Sequence, residues 1–340
     1  MRAAVYYGPD DVRVEERDLR KPGPGEVVVR MLACGICGSD LMDWYTSPRA
    51  PLVLGHEPVG VVVETGPPVA GLELPPEGSR VFLHHHVPCF VCDYCRRGYH
   101  TLCATFHRTR IEPGGFSERI LVPIENVRHD LLVLPGGLET EAATLIEPLA
   151  CCVRGARRAG VGPEARLLVV GAGQMGLLYV QAARAFGCRE VAVAEPREER
   201  RRLAERFGAA AAEPEREAVL AALGAPPTVV ALCTGAPQAF ELALAVVDKG
   251  GTVQLFAPSV PGTRFSFDGN DLFFNEVTLQ SSYSAGPHDT REALGLLADG
   301  AVVADGIVTD RFRLAETARA LETARSGRAI KVVVLGEEST

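Results

Sequence analysis

The sequence predicts an α/β protein with two cores, a β-rich unit followed by a doubly wound parallel sheet. The first 83 residues contain short valine-rich runs separated by glycine and proline, which is the pattern of a compact β-rich unit. From Leu167 to about residue 285, apolar runs alternate with amphipathic stretches, which is typical of a parallel sheet covered by helices. The 340 residues, 47% of them hydrophobic, suffice for two separate cores.

Charge and cysteine content limit the possible functions. The net charge of −8 disfavours a nucleic-acid-binding surface, which needs a basic face. No run approaches the roughly 20 apolar residues that span a bilayer, and the first residues lack an apolar signal core. We therefore expect a cytoplasmic protein that binds neither nucleic acid nor a membrane. Because the cytosol keeps thiols reduced, the ten cysteines are expected to bind metal rather than form disulfides.

The stretch from Cys34 to Asp40 reads C-G-I-C-G-S-D and supplies a thiolate, a hydroxyl and a carboxylate. Zinc that polarises a substrate oxygen favours thiolate and imidazole ligands, so Cys37 fits as a first ligand. Ser39 is placed to relay a proton from a substrate hydroxyl, and Asp40 to orient a ligating imidazole. The cysteines could instead be a redox pair or two small buried residues, and Ser39 and Asp40 could be capping residues.

His56 and Glu57 are two potential metal ligands within the stretch L-G-H-E-P-V-G-V-V-V-E-T-G. They are expected on a turn between the apolar run 52–54 and a strand over 59–63. A lone His-Glu pair means little, but Cys37 upstream and a buried-type carboxylate downstream favour a metal site.

That carboxylate is Glu147, which stands in the apolar stretch T-L-I-E-P-L just ahead of an expected helix. An unpaired charge there would be costly, so it should meet a cation or a metal. On its own, it is better explained as a favourable charge at a helix N-terminus.

The most specific pattern of the chain is the set Cys89, Cys92, Cys95 and Cys103. Four thiolates at close spacing make a closed tetrahedral site with no room for substrate, which favours structural zinc. An iron–sulfur centre also uses close cysteine spacings, but here no proline follows the last cysteine. The preceding histidines 84–86 are interpreted as strand and loop residues rather than as ligands.

Residues 167–176 read L-L-V-V-G-A-G-Q-M-G, which predicts a strand, a G-x-G-x-x-G turn and the start of a helix. Such a turn lets a pyrophosphate approach the helix N-terminus. The next strand ends at Glu195, an acid that would accept hydrogen bonds from the adenosine ribose and repel a 2′-phosphate. The pattern therefore predicts a nicotinamide dinucleotide, with NAD favoured over NADP. The turn residues are Gly171, Gly173, Gln174, Met175 and Gly176.

Other candidate cofactor contacts follow. Arg197 and the run from Arg200 to Arg202 could bind a phosphate if Glu195 turned away, although a charge run on a helix is more often a solvated face. Later strands end at residues that are candidate neighbours of adenine and nicotinamide, with strand-end packing as the equal alternative. These strand-end residues are Cys233, Thr234, Leu255 and Phe256.

The combination resembles the zinc-containing medium-chain dehydrogenase/reductase family over essentially the whole chain. Glutamate rather than cysteine at 147 is similar to the sorbitol and polyol dehydrogenase branch, and the stretches at 44–51 and 84–89 are similar to cyclitol-type members, the 2-deoxy-scyllo-inosamine dehydrogenases. The matching pieces are C-G-I-C-G-S-D at 34–40, G-H-E-x-x-G-x-V-x-x-x-G at 55–66, the four-cysteine lobe at 89–103, G-G-F-S-E at 114–118, E-P-L at 147–149 and G-A-G-Q-M-G at 171–176.

The resemblance implies a domain plan. A GroES-like catalytic domain would span 1–149 with its structural-zinc lobe at 84–110, and a Rossmann NAD-binding domain would span 150–285. The segment 286–340 would complete the catalytic domain, with the active site in the cleft between the domains. Relatives are commonly homodimers or homotetramers, and we expect the same here.

The resemblance also implies site residues. Cys37, His56 and Glu147 would ligate a catalytic zinc, with Glu57 a ligand in some states, and the four cysteines of the lobe would hold a structural zinc. The expected activity is NAD-dependent oxidation of a secondary alcohol, such as a polyol, a cyclitol or threonine, to a ketone. Zinc would lower the pKa of the alcohol, Ser39 would accept its proton, and hydride would pass to the nicotinamide.

One departure from the family concerns the outer end of the proton relay. Many relatives carry a histidine where this chain has Met42. The cofactor ribose and water, or His107 or Asp43, would have to take over. Trp44, Tyr45 and Phe116 are candidate walls of the substrate pocket, or core residues.

Two other functions stay open at this point. One is a metal-free NADPH-dependent enone or quinone reductase on the same fold, for which three metal ligands have no use. The other is a non-catalytic zinc- and nucleotide-binding regulator, which would show no turnover.

Overall fold

The computed structural model describes residues 1–337, and the chain divides into two compact units. The first unit contains Met1–Ala150 and the chain from Ala285 onward, and the second unit is Cys151–Ser284. These boundaries differ by one residue from the domain limits that the resemblance implies.

The strands of the described residues are mostly short, as the frequent glycine and proline turns require. In chain order they are β1 Arg2–Gly8, β2 Asp11–Glu16, β3 Val27–Gly35, β4 Leu52–Val53, β5 Glu57–Thr65, β6 Arg80–Leu83, β7 Arg119–Val122, β8 Leu131–Val133, β9 Arg166–Val170, β10 Glu190–Ala194, β11 Ala210–Ala212, β12 Val229–Leu232, β13 Thr252–Leu255, β14 Thr278–Ser281, β15 Val308–Arg313 and β16 Lys331–Leu335.

The longer helices fall where amphipathic stretches alternate with strands. In chain order the helices are α1 Asp43–Thr46, α2 Asp93–Arg96, α3 Ala104–Arg108, α4 Ile124–Asp130, α5 Thr140–Ala143, α6 Ile146–Arg158, α7 Gln174–Ala185, α8 Glu198–Arg206, α9 Arg216–Leu223, α10 Pro237–Val246, α11 Gly269–Phe274, α12 Pro287–Ala298 and α13 Thr317–Arg325. Short 3₁₀ turns lie at Gly38–Leu41, Ser47–Arg49, His100–Leu102 and Leu314–Glu316.

The first unit is built on a seven-stranded sheet in the order β15-β16-β3-β5-β6-β8, with β7 also paired to β3. Alternate residues Val27, Val29 and Met31 of β3 are buried in its core, which is the period of two that a strand imposes. The last strand β16 pairs antiparallel with β3, so the end of the chain completes the sheet of the first unit. A smaller sheet, β2-β1-β4, holds the N-terminal hairpin.

The register of β3 against β5 brings Glu57 close to the end of β3. Gly35, at the end of β3, lies opposite Glu57, the first residue of β5. A Cβ on Gly35 would stand 1.9 Å from the Glu57 carboxylate and 2.6 Å from the Lys331 side chain. Glycine is therefore required at this position because three chain segments converge there. Glu57 begins a strand, whereas the sequence predicted that it lies on the preceding turn.

The second unit is the expected doubly wound sheet. Its six strands run in the order β11-β10-β9-β12-β13-β14, and all neighbouring pairs are parallel. Leu167, Leu168, Val169 and Val170 of β9 are all buried, as expected for a central parallel strand covered on both faces. The order is that of a dinucleotide-binding Rossmann sheet, which has its switch point between β9 and β12. Among residues 1–337, none of the helices has both the length and the apolar character needed to cross a bilayer.

Candidate metal centre and nucleotide-binding turn

Three potential metal ligands from two segments meet in the first unit. Cys37 precedes the 3₁₀ turn Gly38–Leu41, His56 immediately precedes β5, and Glu57 is the first residue of β5. The ligand atoms of these three residues all lie within 4.8 Å of one another. A thiolate, an imidazole and a carboxylate form a donor set that suits zinc.

Asp40 orients this cluster, as its position in the sequence predicted. Its Oδ2 accepts a hydrogen bond of 3.0 Å from the backbone N–H of Cys37, and its Oδ1 lies 3.4 Å from Nδ1 of His56. Burial opposes a charged ring, but the negative charges of Asp40 and Cys37 outweigh it and raise the pKa of His56 well above its usual range. The surroundings of His56 therefore favour a cation.

Glu57 is fully buried, and its two oxygens have different surroundings. Oε2 forms an ion pair with Lys331, whose Nζ also donates a 2.9 Å hydrogen bond to the carbonyl of Ile36. Oε1 is buried and has no hydrogen-bond partner among the described residues. Burial raises the pKa of Glu57; the charge of Lys331 opposes this rise, and the carboxylate of Glu147 adds to it. An unsatisfied buried carboxylate oxygen beside Cys37 and His56 is suited to coordinate a metal ion.

Glu147 is buried in the first turn of α6, and its carboxylate lies close to two histidines. Its carboxylate and ring nitrogens of His84 and His85 all lie within 4.8 Å of one another. The rings of His85 and His56 are 4.9 Å apart, so this group borders the Cys37 cluster. The interpretation of residues 84–86 as strand and loop residues describes their backbone, but it missed that two of these side chains reach the metal centre.

The positions proposed for the proton relay differ in accessibility. Ser39 is half-buried in the 3₁₀ turn that follows Cys37, at the edge of the metal cluster. Asp43 is exposed and lies 3.2 Å from the guanidinium of Arg325. His107 is exposed on α3. His85 is the imidazole that directly borders His56, and burial lowers its pKa well below the usual range.

The aromatic candidates separate into surface and core. Trp44 and Tyr45 are about 40% exposed and pack edge to face, with Arg49 over the Tyr45 ring. Phe116 is buried in the core of the first unit and packs on Gly55. Phe116 is therefore a core residue, whereas the other two remain available to a ligand.

Cys34 is not suited to be the redox partner of Cys37. It is fully buried on β3, and its sulfur contacts the backbone positions of Gly55 and Gly115 so closely that neither residue can carry a Cβ. Burial raises the pKa of Cys34, and the nearby carboxylate of Glu57 adds to this effect. A protonated, enclosed thiol is a packing residue.

The second group of potential metal ligands is the four-cysteine lobe. The sulfurs of Cys89, Cys92, Cys95 and Cys103 lie within 4.8 Å of one another. The backbone N–H of Cys89 donates to the sulfur of Cys103, and that of Cys92 to the sulfur of Cys89, each at 3.4 Å. Although burial opposes it, such backbone donors lower the pKa of Cys103 to about 6. Four converging sulfurs with N–H donors suit a tetrahedral zinc.

In the second unit, the glycine turn has the geometry that a dinucleotide needs. Gly171 follows β9 with φ of +100°, and Gly173 is the N-cap of α7. A Cβ on Gly176 would stand 1.9 Å from the carbonyl oxygen of Gly171, so the helix packs directly on the turn. A Cβ on Gly173 would meet nothing within 4 Å in the described part of the chain, which leaves space in front of the helix N-terminus. Gln174 and Met175 form the first residues of this helix.

Glu195, directly after β10, faces the glycine turn. Its Oε2 accepts a 2.7 Å hydrogen bond from the backbone N–H of Ala172, and its Oε1 accepts one of 3.1 Å from that of Arg197. Two backbone donors therefore hold the carboxylate at the turn. Arg201 donates to the carbonyl of Glu195, and Arg202 pairs with Glu198 on the helix surface. Arg200 is half-buried on the same helix.

The predicted strand-end residues lie along the same sheet. Cys233 and Thr234 follow β12, and Cys233 packs against the turn at Gly171. Leu255 ends β13, and the ring of Phe256 packs edge to face on Tyr179 and fills the space beside Gly155. Phe256 therefore has a packing role, whereas Thr234 is half-buried at the edge where the turn opens.

Comparison with known proteins gives consistent matches over the whole chain. The family model "Alcohol dehydrogenase GroES-like domain" matches residues 23–131, and "Zinc-binding dehydrogenase" matches residues 175–299. L-threonine 3-dehydrogenase of Pyrococcus furiosus is 34% identical over 98% of this chain and 97% of that protein. Sorbitol dehydrogenase of Ovis aries is 31% identical over 97% of this chain and 95% of that protein. The structure of a zinc-binding dehydrogenase from Sinorhizobium meliloti 1021 bound to NADP has a TM-score of 0.86 at 28% identity, covering 98% of both chains.

Proposed function

The chain belongs to the zinc-containing medium-chain dehydrogenase/reductase family of alcohol dehydrogenases, and we propose that it oxidises a secondary alcohol to a ketone with NAD as hydride acceptor. The substrate class is a polyol, a cyclitol or an amino alcohol such as threonine. The convergence of Cys37, His56 and Glu57 on one point is the observation that carries this proposal.

The residues of the first unit fit a catalytic zinc. Cys37, His56 and Glu57 would hold it; Glu147, which the resemblance implies as a ligand, lies with His84 and His85 instead, and its carboxylate raises the pKa of Glu57. When bound, the zinc polarises the alcohol oxygen and lowers the pKa of the hydroxyl. Asp40 fixes the loop of Cys37 and the ring of His56, so the ligands are positioned before substrate arrives.

Ser39 is the proposed first proton acceptor because it lies two residues after Cys37, in the 3₁₀ turn Gly38–Leu41, and is partly accessible. With Met42 at the usual relay position and with Asp43 and His107 exposed, the proton would continue through the cofactor ribose and water. Hydride transfer is chemistry that the nicotinamide supplies, while the protein supplies position.

The preference for NAD rests on Glu195. Two backbone N–H groups fix its carboxylate at the glycine turn, where it would accept a ribose hydroxyl and repel a 2′-phosphate. The similar dehydrogenase of Sinorhizobium meliloti is bound to NADP, so similarity alone does not decide between NAD and NADP. The preference is argued from the residues of this chain. Here Arg201 and Arg202 are occupied by other partners, which supports NAD.

The proposal is tested by initial-rate measurements of NADH formation with sorbitol, threonine, 2,3-butanediol and inositol, repeated with NADP. Cys37→Ser should abolish turnover because the zinc loses its thiolate ligand. Cys188→Ser is the matched control, since Cys188 is a buried thiol of the second unit that lies in neither cysteine cluster. Full activity of Cys37→Ser would reject zinc-assisted oxidation. A metal-free reductase would instead oxidise NADPH with an enone regardless of this substitution.

A further inference from the structure

We propose that the free edge of the six-stranded sheet in the second unit pairs with the same edge of a second copy of this chain, so that two chains assemble about a twofold axis. The edge is strand β14, Thr278–Ser281, which pairs with β13 on one side. Within residues 1–337, no strand pairs with its other side. An unpaired strand edge is a template for another strand. The inference concerns assembly and does not rest on the proposed alcohol oxidation.

The backbone of β14 presents hydrogen-bonding groups at this edge. The N–H groups of Thr278 and Ser282 donate to carbonyls on the β13 side, at 2.9 and 3.2 Å. Leu279 and Ser281 alternate with these residues, so their N–H and C=O groups point away from β13. A twofold axis at Gln280 would place Leu279 of each copy opposite Ser281 of the other copy. Such a pair of residues exchanges N–H···O=C bonds in both directions.

The sequence does not protect this edge against pairing. Residues 277–286 read V-T-L-Q-S-S-Y-S-A-G and contain neither a charged residue nor a proline. Natural proteins commonly block an exposed edge strand with charged side chains, proline or a bulge. The opposite edge of the same sheet has this protection, because β11 is only three residues long and is followed by E-P-E at 213–215. An uncharged strand also brings no like charges together when it meets its own copy.

Exposed aromatic side chains flank the same strand in the sequence. In the described part of the second unit, the large hydrophobic side chains that are exposed all fall within the segment 260–283. The helix α11, which leads into β14, has no buried residue, and its Phe273 and Phe274 pack edge to face on one another. A six-residue helix with an uncovered aromatic face has little stability of its own, so a covering surface is expected. The exposed side chains are Val260, Phe267, Phe273, Phe274 and Tyr283.

The area of these side chains fits a second copy as the partner. Phe267, Phe273, Phe274 and Tyr283 are between 50% and 76% exposed. At roughly 200 Å² for a whole aromatic side chain, their exposed parts amount to about 500 Å² per chain. A twofold axis presents the same surface twice, so about 1,000 Å² would be covered before the paired strands are added, against about 1,200–2,000 Å² in a stable interface.

Mass measurement on the whole protein tests this assembly. By light scattering after gel filtration, the wild type should contain at least two chains of 36.3 kDa, and Ser281→Lys should contain half as many. Ser281 is exposed in the single chain, so the variant should fold, as circular dichroism would verify, while its ammonium groups repel each other near the axis. Ala210→Lys is the matched control, because Ala210 is exposed on β11 at the opposite edge, and it should keep the wild-type mass. The double variant Phe273→Asp with Phe274→Asp should also halve the mass.

Hydrogen exchange locates the contact. In the wild-type assembly, amides of the segment 277–283 should exchange more slowly than in Ser281→Lys, because the outward N–H groups are bonded only when the edges pair. A single-chain wild type would overturn the proposal, and so would equally fast exchange of this segment in the assembly and in the variant, since the chains would then associate through another surface. An assembled protein that oxidises no alcohol would overturn the proposed function alone. An active single chain would overturn this interface alone.

Discussion

The ion pair between Glu57 and Lys331 should be the largest single electrostatic contribution to the stability of the first unit. Both side chains are completely buried, and Lys331 also bonds the Ile36 carbonyl at 2.9 Å. Lys331→Met keeps the volume but leaves a buried carboxylate and a buried carbonyl without their partner. Removing one member of a buried pair costs about 3–5 kcal/mol, so we expect the free energy of unfolding of the first unit to fall by that amount.

The assay is urea unfolding of protein kept free of zinc with a chelator, so that no metal ion compensates the Glu57 carboxylate, followed by circular dichroism and fitted with separate transitions for the two units. Lys21→Met is the matched control because Lys21 is exposed in the same unit, and its effect should stay within about 0.5 kcal/mol. Adding Glu57→Gln to Lys331→Met should restore most of the loss, since the buried charge is then gone. A loss below about 1 kcal/mol for Lys331→Met alone would refute this reasoning.

Three further predictions concern other parts of the chain. Burial lowers the pKa of His86 to about 3, so the neutral ring stabilises the fold fully above pH 6.5, and this stabilisation is lost as the pH falls toward 3. Through this group the wild type should lose about 2 kcal/mol of unfolding free energy between pH 7 and pH 5, and His86→Gln should abolish that loss, which gives a flatter plot of urea midpoint against pH. Glu195→Gln should lower the ratio of kcat/KM for NAD over NADP at least about tenfold, or about 1.4 kcal/mol, and an unchanged ratio would mean that Glu195 does not set the cofactor preference. Cys103→Ser should reduce the zinc content by one ion per chain and lower the unfolding midpoint of the first unit, and retention of that zinc would show that the lobe does not need four thiolates.

Local patterns predicted most of the fold and the central ligands. The alternation of strands and helices after Leu167 is a property of neighbouring residues, and so is the turn that places Glu195 against Ala172. Cys37 and His56 were found because each lies in a short motif whose residues contact one another, as Asp40 does with both. Such contacts leave a signal in consecutive sequence.

The residues that were missed reach the site through long-range packing. Lys331 meets Glu57 because β16 pairs with β3, a contact over 274 residues for which neither segment carries a local sign. His84 is oriented by Asp130, which binds its Nδ1, and Asp130 is held in turn by the hydroxyl of Thr290, which is 160 residues away. Because these contacts leave no local sign, the run of three histidines beside a complete set of four cysteines was interpreted as strand and loop residues. The run of three consecutive histidines was itself the signal in the sequence that could have indicated a functional role for these residues.

The central claim is that Cys37, His56 and a carboxylate from Glu57 or Glu147 hold one zinc ion for alcohol oxidation. Anomalous diffraction at the zinc edge from a crystal of the zinc-loaded enzyme tests it directly. We predict a peak at bonding distance from the Cys37 sulfur, about 2.3 Å, and from a His56 nitrogen, together with the peak in the four-cysteine lobe as an internal reference. A strong peak in the lobe with none between Cys37 and His56 would contradict the account.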